Sequence, residues 1–526
     1  MNYADLFRVT LPETVLEIAA LVVLVVDLGF LRKAALKLRV TVAALLGVAG
    51  CGVALWAMRF QCDRSNLDGD PIGGGLLATG TVTAVAQTGI LILTALTLLL
   101  LIDSVFTNHV GEFVAVVLMA ASGGLLVAAA EDLLVIFVGL ELLSLSLYIM
   151  TAFAKSSHKS AEAALKYYLF GGMSAAFLLL GFSYFYGLTG STNLLDIQLS
   201  ISDSGPSPLF YVAWILVVAG LGFKVAAVPF HLWAPDTYEG APAPAAAFIA
   251  SVSKVASFAL LISLSNNWLT NTMFILCPEN CAQLYVRPYY QTWPKLGLVL
   301  LVVAAASMIV GNLAALAQIS VRRLLAYSAI AHAGYILLGI AVHPAFSGTG
   351  SVIAFQNAAS FSMDHSANAV LYYILTYGLT TIGAFGVVSV VERATGSDRL
   401  DSFLGLHKRN PLLAAVLLVL FLSLAGIPPL VGFWAKFNLF AAVLGVSAGP
   451  VPFTLVALAV AFSAVSLYYY LQVLKRAYVM PAIDETPIKA HPVTMAVLLL
   501  IAAAVVVLGC FPALLLNWIQ SFYPVF

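Results

Sequence analysis

The sequence predicts an all-α polytopic membrane protein with about fourteen transmembrane helices. Three observations carry this reading. Of the 526 residues, 62% are hydrophobic and only 9% are charged, against about 25% charged in an ordinary soluble domain. Apolar runs of about 20 residues, the length that crosses the hydrocarbon of a bilayer, recur along the whole chain between polar, Gly/Pro or charged punctuation. The basic residues also fall mostly in every second interval between those runs, as the positive-inside rule requires.

The runs lie at 11–31, 40–58, 79–102, 111–129, 131–153, 163–188, 209–233, 243–265, 294–317, 322–343, 367–391, 411–444, 452–474 and 493–519. The first ends in no small-residue cleavage site and is followed at once by Arg32, Lys33, Lys37 and Arg39, so it reads as a retained helix and not as a signal peptide. Residues 1–110 hold three peripheral helices, with Glu17 and Asp27 near the ends of one helix and no central ionisable pair; residues 479–526 carry helix 14. Between them, 111–265 (helices 4–8) and 294–478 (helices 9–13) read as two inverted five-helix repeats, separated by an outside loop at 266–293.

A shared device suggests the repeats. In the seventh run Lys224 precedes Pro229; in the twelfth, Pro428 and Pro429 precede Lys436. A proline has no N–H, and its ring clashes with the carbonyl four residues earlier, here Val225. The expectation is a broken helix that continues to Trp233 and keeps Lys224 near the bilayer middle. Pro-interrupted hydrophobic segments in two halves are the mark of inverted-repeat transporters, whose sites lie at the breaks.

Fifteen basic residues, from Arg32 to Lys489, occupy one set of loops, and five (Arg8, Arg59, Arg64, Arg287 and Lys295) the other, which places both termini outside. Of the 24 lysines and arginines this leaves four without a loop: Lys166, Lys224, Lys254 and Lys436. All four are lysines, which exchange protons on burial where arginine stays charged. Glu141, Lys254 and His332 lie ten or eleven residues inside their runs, near mid-membrane at about 1.5 Å per residue. Ionisable groups at that depth usually face a protein interior or a wet cavity and mark an ion path. Each has a plainer reading. Glu141 could bond Ser144 or Tyr148 on its own polar stripe; Lys224 and Lys254 could be structural partners of acids; Lys436 could snorkel. Lys166 has Glu162 four residues before it for an ordinary helix pair, His332 could be a bonded core residue, and His231, Asp236 and Glu239 could form a solvated hinge at the inner membrane face.

Zero net charge argues against nucleic acid as a partner. No Gly-rich phosphate loop, CxxC pair or His/Cys cluster supports a nucleotide, haem, iron-sulfur or zinc site on this chain. Of the five cysteines, Cys277 and Cys281 in CPENC could form a small disulfide if their loop faces an oxidising compartment. The loops at 266–293 and 344–366 carry no motif that can be read. The mechanism these residues suggest is electrostatic: a carboxylate at Glu141 stabilises a protonated Lys224, and weakening that pairing sends the proton toward Lys254, His332 and Lys436.

The stretch FKVAAVPFHLWAPDTYEGAPAPAAAFIASVSK, with LLAYSAIAHAGY, GIPPLVGFWAKF and the fourteen-helix plan, resembles the antiporter-like membrane subunits of proton-pumping NADH:quinone oxidoreductase, respiratory complex I. The resemblance covers nearly the whole chain. It is nearest to the N-type subunits, since the twelfth-helix ionisable residue is a lysine and no long lateral helix is expected after helix 14. It implies proton half-channels joined by a buried axis, in which Glu141, Lys166, Lys224, Lys254, His332 and Lys436 are the ionisable residues of helices 5, 6, 7, 8, 10 and 12. It further implies a bacterial inner-membrane location and, as neighbours, an antiporter-like M-type subunit and small K-, J- and A-type subunits. NADH, FMN, iron-sulfur clusters and quinone are expected on partner subunits and no cofactor on this one. The alternatives are a subunit of a multisubunit Na⁺/H⁺ antiporter of the Mrp type and a purely structural spacer of the membrane arm.

Overall fold

The computed structural model describes residues 3–59, 75–104, 106–269, 293–342, 352–446, 450–482 and 486–522. Cys277, Cys281, Arg64 and Arg287, and with them the 266–293 loop and the start of the 344–366 segment, lie essentially outside the described residues. Everything that spans is helical. We number the spanning helices α1 (Leu11–Val25, continued by a π-helical turn at Val26–Phe30), α2 (Leu36–Ala57), α3 (Thr81–Leu101), α4 (Val110–Ala129), α5 (Leu133–Thr151) and α6 (His158–Thr189). The series continues with α7a (Pro208–Val225) and α7b (Trp233–Gly240), α8a (Ala243–Ala250) and α8b (Val252–Leu269), α9 (Trp293–Leu316), α10 (Val321–Ala341) and α11 (Val352–Thr395). It ends with α12a (Pro411–Ala425), α12b (Val431–Val446), α13 (Pro450–Tyr478) and α14 (Pro492–Cys510). Among the described residues, twelve helices are long and apolar enough to cross a membrane. The first helix and the broken twelfth complete the expected fourteen.

Burial sorts these helices into an inner and an outer set. The apolar window of α8 is 100% buried and those of α10 and α11 are 94% and 89% buried, whereas α13 has only 22% of its window buried. A helix apolar all round belongs either inside a protein or in lipid; the first three form the interior and α13 presents Phe453, Val460 and Tyr468 outward.

Three boundaries differ from the sequence expectation. The seventh helix does not run through to Trp233. It ends at Val225, because Ala226 turns left-handed (φ 59°) and the amides of Ala226 and Ala227 return to the carbonyls of Phe223 and Gly222. The break therefore opens three residues before Pro229. The eighth helix is also interrupted, at Ser251 (φ −118°, ψ −76°), where no proline or glycine signals it. The eleventh begins at Val352, well before residue 367.

The loops rich in basic residues gather on one face. There Lys159, Glu239, Arg322, Arg323, Glu392 and Arg393 line a cleft of about 830 Å³. Here it is called the basic face.

Candidate functional site

The two proline breaks share one electrostatic logic. The last carbonyls of an α-helix have no intrahelical partner and carry partial negative charge, which favours a cation. Lys224 lies in the last turn of α7a. Lys436 follows its break instead, yet its ammonium reaches back to the last carbonyls of α12a, Leu424 at 3.1 Å and Ala425 at 3.0 Å, and to Ser463 Oγ at 2.8 Å. So one lysine precedes its break and the other follows it, and both serve the negative end of a half-helix. Gly426, left-handed at φ 87°, opens the twelfth break as Ala226 opens the seventh; the glycine adopts that conformation without the cost an alanine meets.

The seventh break is fastened on both sides. The Val228 amide donates to Ser307 Oγ of α9 at 2.9 Å, and the Trp233 indole donates to the Phe223 carbonyl at 3.0 Å while its ring stacks on Tyr167 at 4.3 Å. Lys224 Nζ hydrogen-bonds Ser144 Oγ at 2.5 Å, and that hydroxyl in turn donates to the Leu140 carbonyl. Lys224 thus hydrogen-bonds a hydroxyl, and Glu141, half-buried one turn earlier on α5, acts on it through its field, the electrostatic influence expected from the sequence.

Lys254, at the start of α8b, donates to the Ala329 carbonyl of α10 at 2.6 Å and lies 5.6 Å from the centre of the Tyr377 ring. His332 sits one turn along α10. Its Nδ1 is 2.7 Å from the Tyr373 hydroxyl, and its ring lies 4.8 Å from that of Tyr377 and 5.7 Å from that of Tyr335. Lys436 in turn lies 5.6 Å from the Tyr335 ring. Lys254, Tyr377, His332, Tyr335 and Lys436 thus form a row, with each ammonium against the electron-rich face of a tyrosine. Both lysines and the histidine are at most 5% exposed. The sequence reading missed Tyr335, Tyr373, Tyr377 and Trp233, although the spacing of His332 and Tyr335, three residues apart on one helix, was available as a signal.

Lys166 is not part of this row. It lies on α6, 40% exposed, and pairs with Glu162 and Asp236 at 2.7 Å each. Asp236 also meets Arg323 at 2.6 Å, and Glu239 meets Arg323 at 3.0 Å and Lys159 at 2.9 Å. Arg322, buried, donates to the carbonyls of Glu239 (2.9 Å) and Ala241. The α7b hinge is therefore an ion-pair network tying α6, α7b and α10 together at the basic face. His231 is half-buried beside it, its Nδ1 without a protein partner.

Burial pushes the Asp236 and Glu239 carboxyls up, but hydrogen bonds from Lys166 and Arg323 to the first, and from Lys159 and Arg323 to the second, outweigh it and hold both below their ordinary values. Because folding lowers both values, the network stabilises the fold at any pH above the unfolded carboxylate range, and that contribution fades as the pH falls through the lowered values. The double variant Asp236→Asn, Glu239→Gln is expected to lose about 1–2 kcal/mol at pH 7 and almost nothing relative to the parent near pH 3. Thermal melts of the detergent-solubilised protein at the two pH values measure this; an equal deficit at both would show that charge is not the cause.

Interrupted helices with ionisable side chains buried at the interruptions define the class of secondary-transporter folds. The chain belongs to the NADH:quinone oxidoreductase/Mrp antiporter transmembrane family, which matches residues 130–278 and 282–464. It is 45% identical, over 99% of both chains, to NADH-quinone oxidoreductase subunit N 2 of Acidobacterium capsulatum. It is 39% identical to NADH-quinone oxidoreductase subunit N 1 of Roseiflexus castenholzii, over 86% of this chain and 81% of the relative. A chain of respiratory complex I from Thermus thermophilus with bound aureothin superposes with a TM-score of 0.73 at 32% identity, covering 96% of this chain and 98% of that one. The Mrp complex from Dietzia sp. shares the fold alone, with a TM-score of 0.76 at 20% identity over 98% of this chain and 51% of that one.

Proposed function

We propose that this chain is the N-type antiporter-like subunit of a bacterial NADH:quinone oxidoreductase and that it moves protons across the inner membrane along Glu141, Lys224, Lys254, His332 and Lys436. The observation that carries this is the buried row in which His332 stands between Lys254 and Lys436, one tyrosine ring from each. Lysine and histidine both gain and lose a proton, and a set of them crossing the protein interior is costly unless it is used.

In this reading the ammonium form of Lys436 is held by the Leu424 and Ala425 carbonyls, and that of Lys224 by Ser144, the α7a terminus and the field of Glu141. Lys254, with the Ala329 carbonyl as its acceptor, takes a proton from one side and passes it on. His332, oriented by Tyr373, carries it toward Lys436. Lys166, in the basic-face network, acts at the margin of the path. The basic face is cytoplasmic, both termini are outside, and helices 4–8 and 9–13 are inverted repeats, which the matched left-handed openings at Ala226 and Gly426 support. NADH, FMN, iron-sulfur clusters and quinone belong to partner subunits, reached through an M-type neighbour and small membrane subunits.

Lys224→Ala in the assembled complex is expected to lower proton pumping by at least tenfold, a barrier change of about 1.4 kcal/mol. Normal assembly with undiminished pumping would leave only the spacer reading. Purification in mild detergent separates the remaining alternative: flavin and iron-sulfur absorbance should accompany the chain, whereas a subunit of an Mrp-type antiporter brings neither.

A further inference from the structure

Lys436 is met by three acceptors. An ammonium has three protons to give, and the Leu424 carbonyl (3.1 Å), the Ala425 carbonyl (3.0 Å) and Ser463 Oγ of α13 (2.8 Å) take them. The three are not equivalent. A carbonyl can only accept, whereas a hydroxyl accepts from an ammonium and, after turning about its C–O bond, donates to the lone pair of a neutral amine. Ser466, three residues further along α13, spends its proton on the Ser463 carbonyl at 2.6 Å; no such bond fixes the Ser463 hydroxyl among the described residues. Of the three partners, only Ser463 can hold the nitrogen in both protonation states.

α13 also reaches the other side of Lys436, through Asn312. This fully buried side chain joins α9 to α10 and α13. Its Nδ2 donates to the Met308 carbonyl at 2.7 Å and to the Tyr335 hydroxyl at 3.1 Å, and its Oδ1 accepts from the Tyr469 hydroxyl at 3.1 Å. Met308 offers only an acceptor, so the amide cannot be turned round. Tyr335 is thereby pinned at its hydroxyl end, and Phe440 of α12b packs edge-on against its ring at 6.0 Å. So held, the ring lies 5.6 Å from Lys436 Nζ and stands perpendicular to His332 at 5.7 Å. A buried amide in a membrane bundle is often plain interhelical glue. This one ends on the ring that separates His332 from Lys436.

We propose that Ser463 and Asn312 are positioning residues for Lys436: Ser463 holds its nitrogen through the loss and return of the proton, and Asn312 keeps the Tyr335 ring against it. The proposal rests on the proton-translocation reading above. When Lys436 gives up a proton, the N–H bond breaks and the electron pair stays on nitrogen. The Ser463 O–H then swings to donate to that pair, and swings back when a proton returns. No bond to carbon changes. Without Ser463 the neutral amine faces two carbonyls, and its lone pair has no donor.

The test uses the assembled complex in liposomes, with proton pumping per complex read against NADH oxidation. Ser463→Ala should slow pumping about tenfold, the loss expected of one hydrogen bond to the site. Ser463→Thr, which keeps the hydroxyl, should restore it, and Ser466→Ala, which deletes a hydroxyl bonded to its own helix, should leave it unchanged. Tyr335→Phe and Asn312→Leu should each slow pumping to a similar extent. The double variant should be no slower than the worse single one, because Asn312 acts through the Tyr335 hydroxyl; additive losses would make Asn312 a helix joint and nothing more. Ser463→Ala and Tyr335→Phe each remove one oxygen, so they carry the test even if Asn312→Leu fails to assemble, and a parental rate in either overturns its half of the proposal. Lys436→Ala is run alongside. If it stops pumping while both one-oxygen variants pump like the parent, the positioning roles are wrong and the proton-translocation reading stands. If all three pump like the parent, both fall.

Discussion

Lys254→Met is expected to abolish proton translocation, by about 100-fold or more, while leaving the subunit folded and assembled. Methionine matches the length and apolar stem of lysine, and replacing a buried charge by a well-packed apolar side chain is often neutral or stabilising. The fold therefore loses little, since Lys254 is 3% exposed and makes its hydrogen bond to the Ala329 carbonyl, a group α10 itself can satisfy. Function loses the group that lies between the Lys224 side and His332, and a positioned proton carrier contributes roughly 10²–10⁴ in rate. Lys254→Arg separates two meanings of this loss. Arginine keeps the positive charge but does not release a proton in proteins, so it should be as inactive as methionine. Proton uptake by proteoliposomes, measured for both variants, decides the matter: substantial recovery in Lys254→Arg would mean that Lys254 places a charge and transfers nothing.

The spans were legible because twenty apolar residues admit few other readings, and the buried lysines Lys224, Lys254 and Lys436 because a census of loops left them over; the same census also left Lys166, which the structure places in the exposed basic-face network. The breaks were legible only in part. GIPP announces the twelfth, with its glycine at the left-handed position, but at the seventh that position is Ala226, an ordinary helix former, so the proline drew attention three residues too late. Ser251 interrupts the eighth helix with no local signal; its hydroxyl bonds the Ala247 carbonyl, and the distortion belongs to tertiary packing. The tyrosines were missed for another reason. In a membrane segment tyrosine scores with the apolar residues, and only its placement around His332 reveals its role as a neighbour of charge. Asp236 and Glu239 read as solvated because their partners, Lys166 and Arg323, are about 70 and 85 residues away.

Gly334→Val is expected to prevent assembly of the subunit. A Cβ at Gly334 would meet the Ala304 carbonyl at 2.7 Å and the Met308 amide nitrogen at 2.8 Å, and one at Gly311 would meet the Ala331 amide at 2.6 Å and the Tyr327 carbonyl at 2.9 Å. These are backbone atoms of the facing helix, so no rotamer change relieves the clash and α9 and α10 must separate. Small residues at such crossings are what lets helices approach in lipid, where no hydrophobic force between helices compensates for lost contact. Overpacking typically costs about 1–3 kcal/mol or more per site. The damage is also aimed at the site. Gly334 stands between His332 and Tyr335, and Tyr335 is held by Asn312 of α9 at 3.1 Å, one residue beyond Gly311. Moving α10 off α9 therefore pulls the histidine and its tyrosine away from both lysines at once. Gly334→Ala, with one methyl in place of three carbons, should show the same defect in weaker form, assembling at reduced yield with pumping lowered beyond the loss of protein. Native electrophoresis of the membrane complex and pumping per assembled complex separate the two effects. A normally assembled, fully pumping Gly334→Val complex would mean that the close approach of α9 and α10 does not set the geometry of the row.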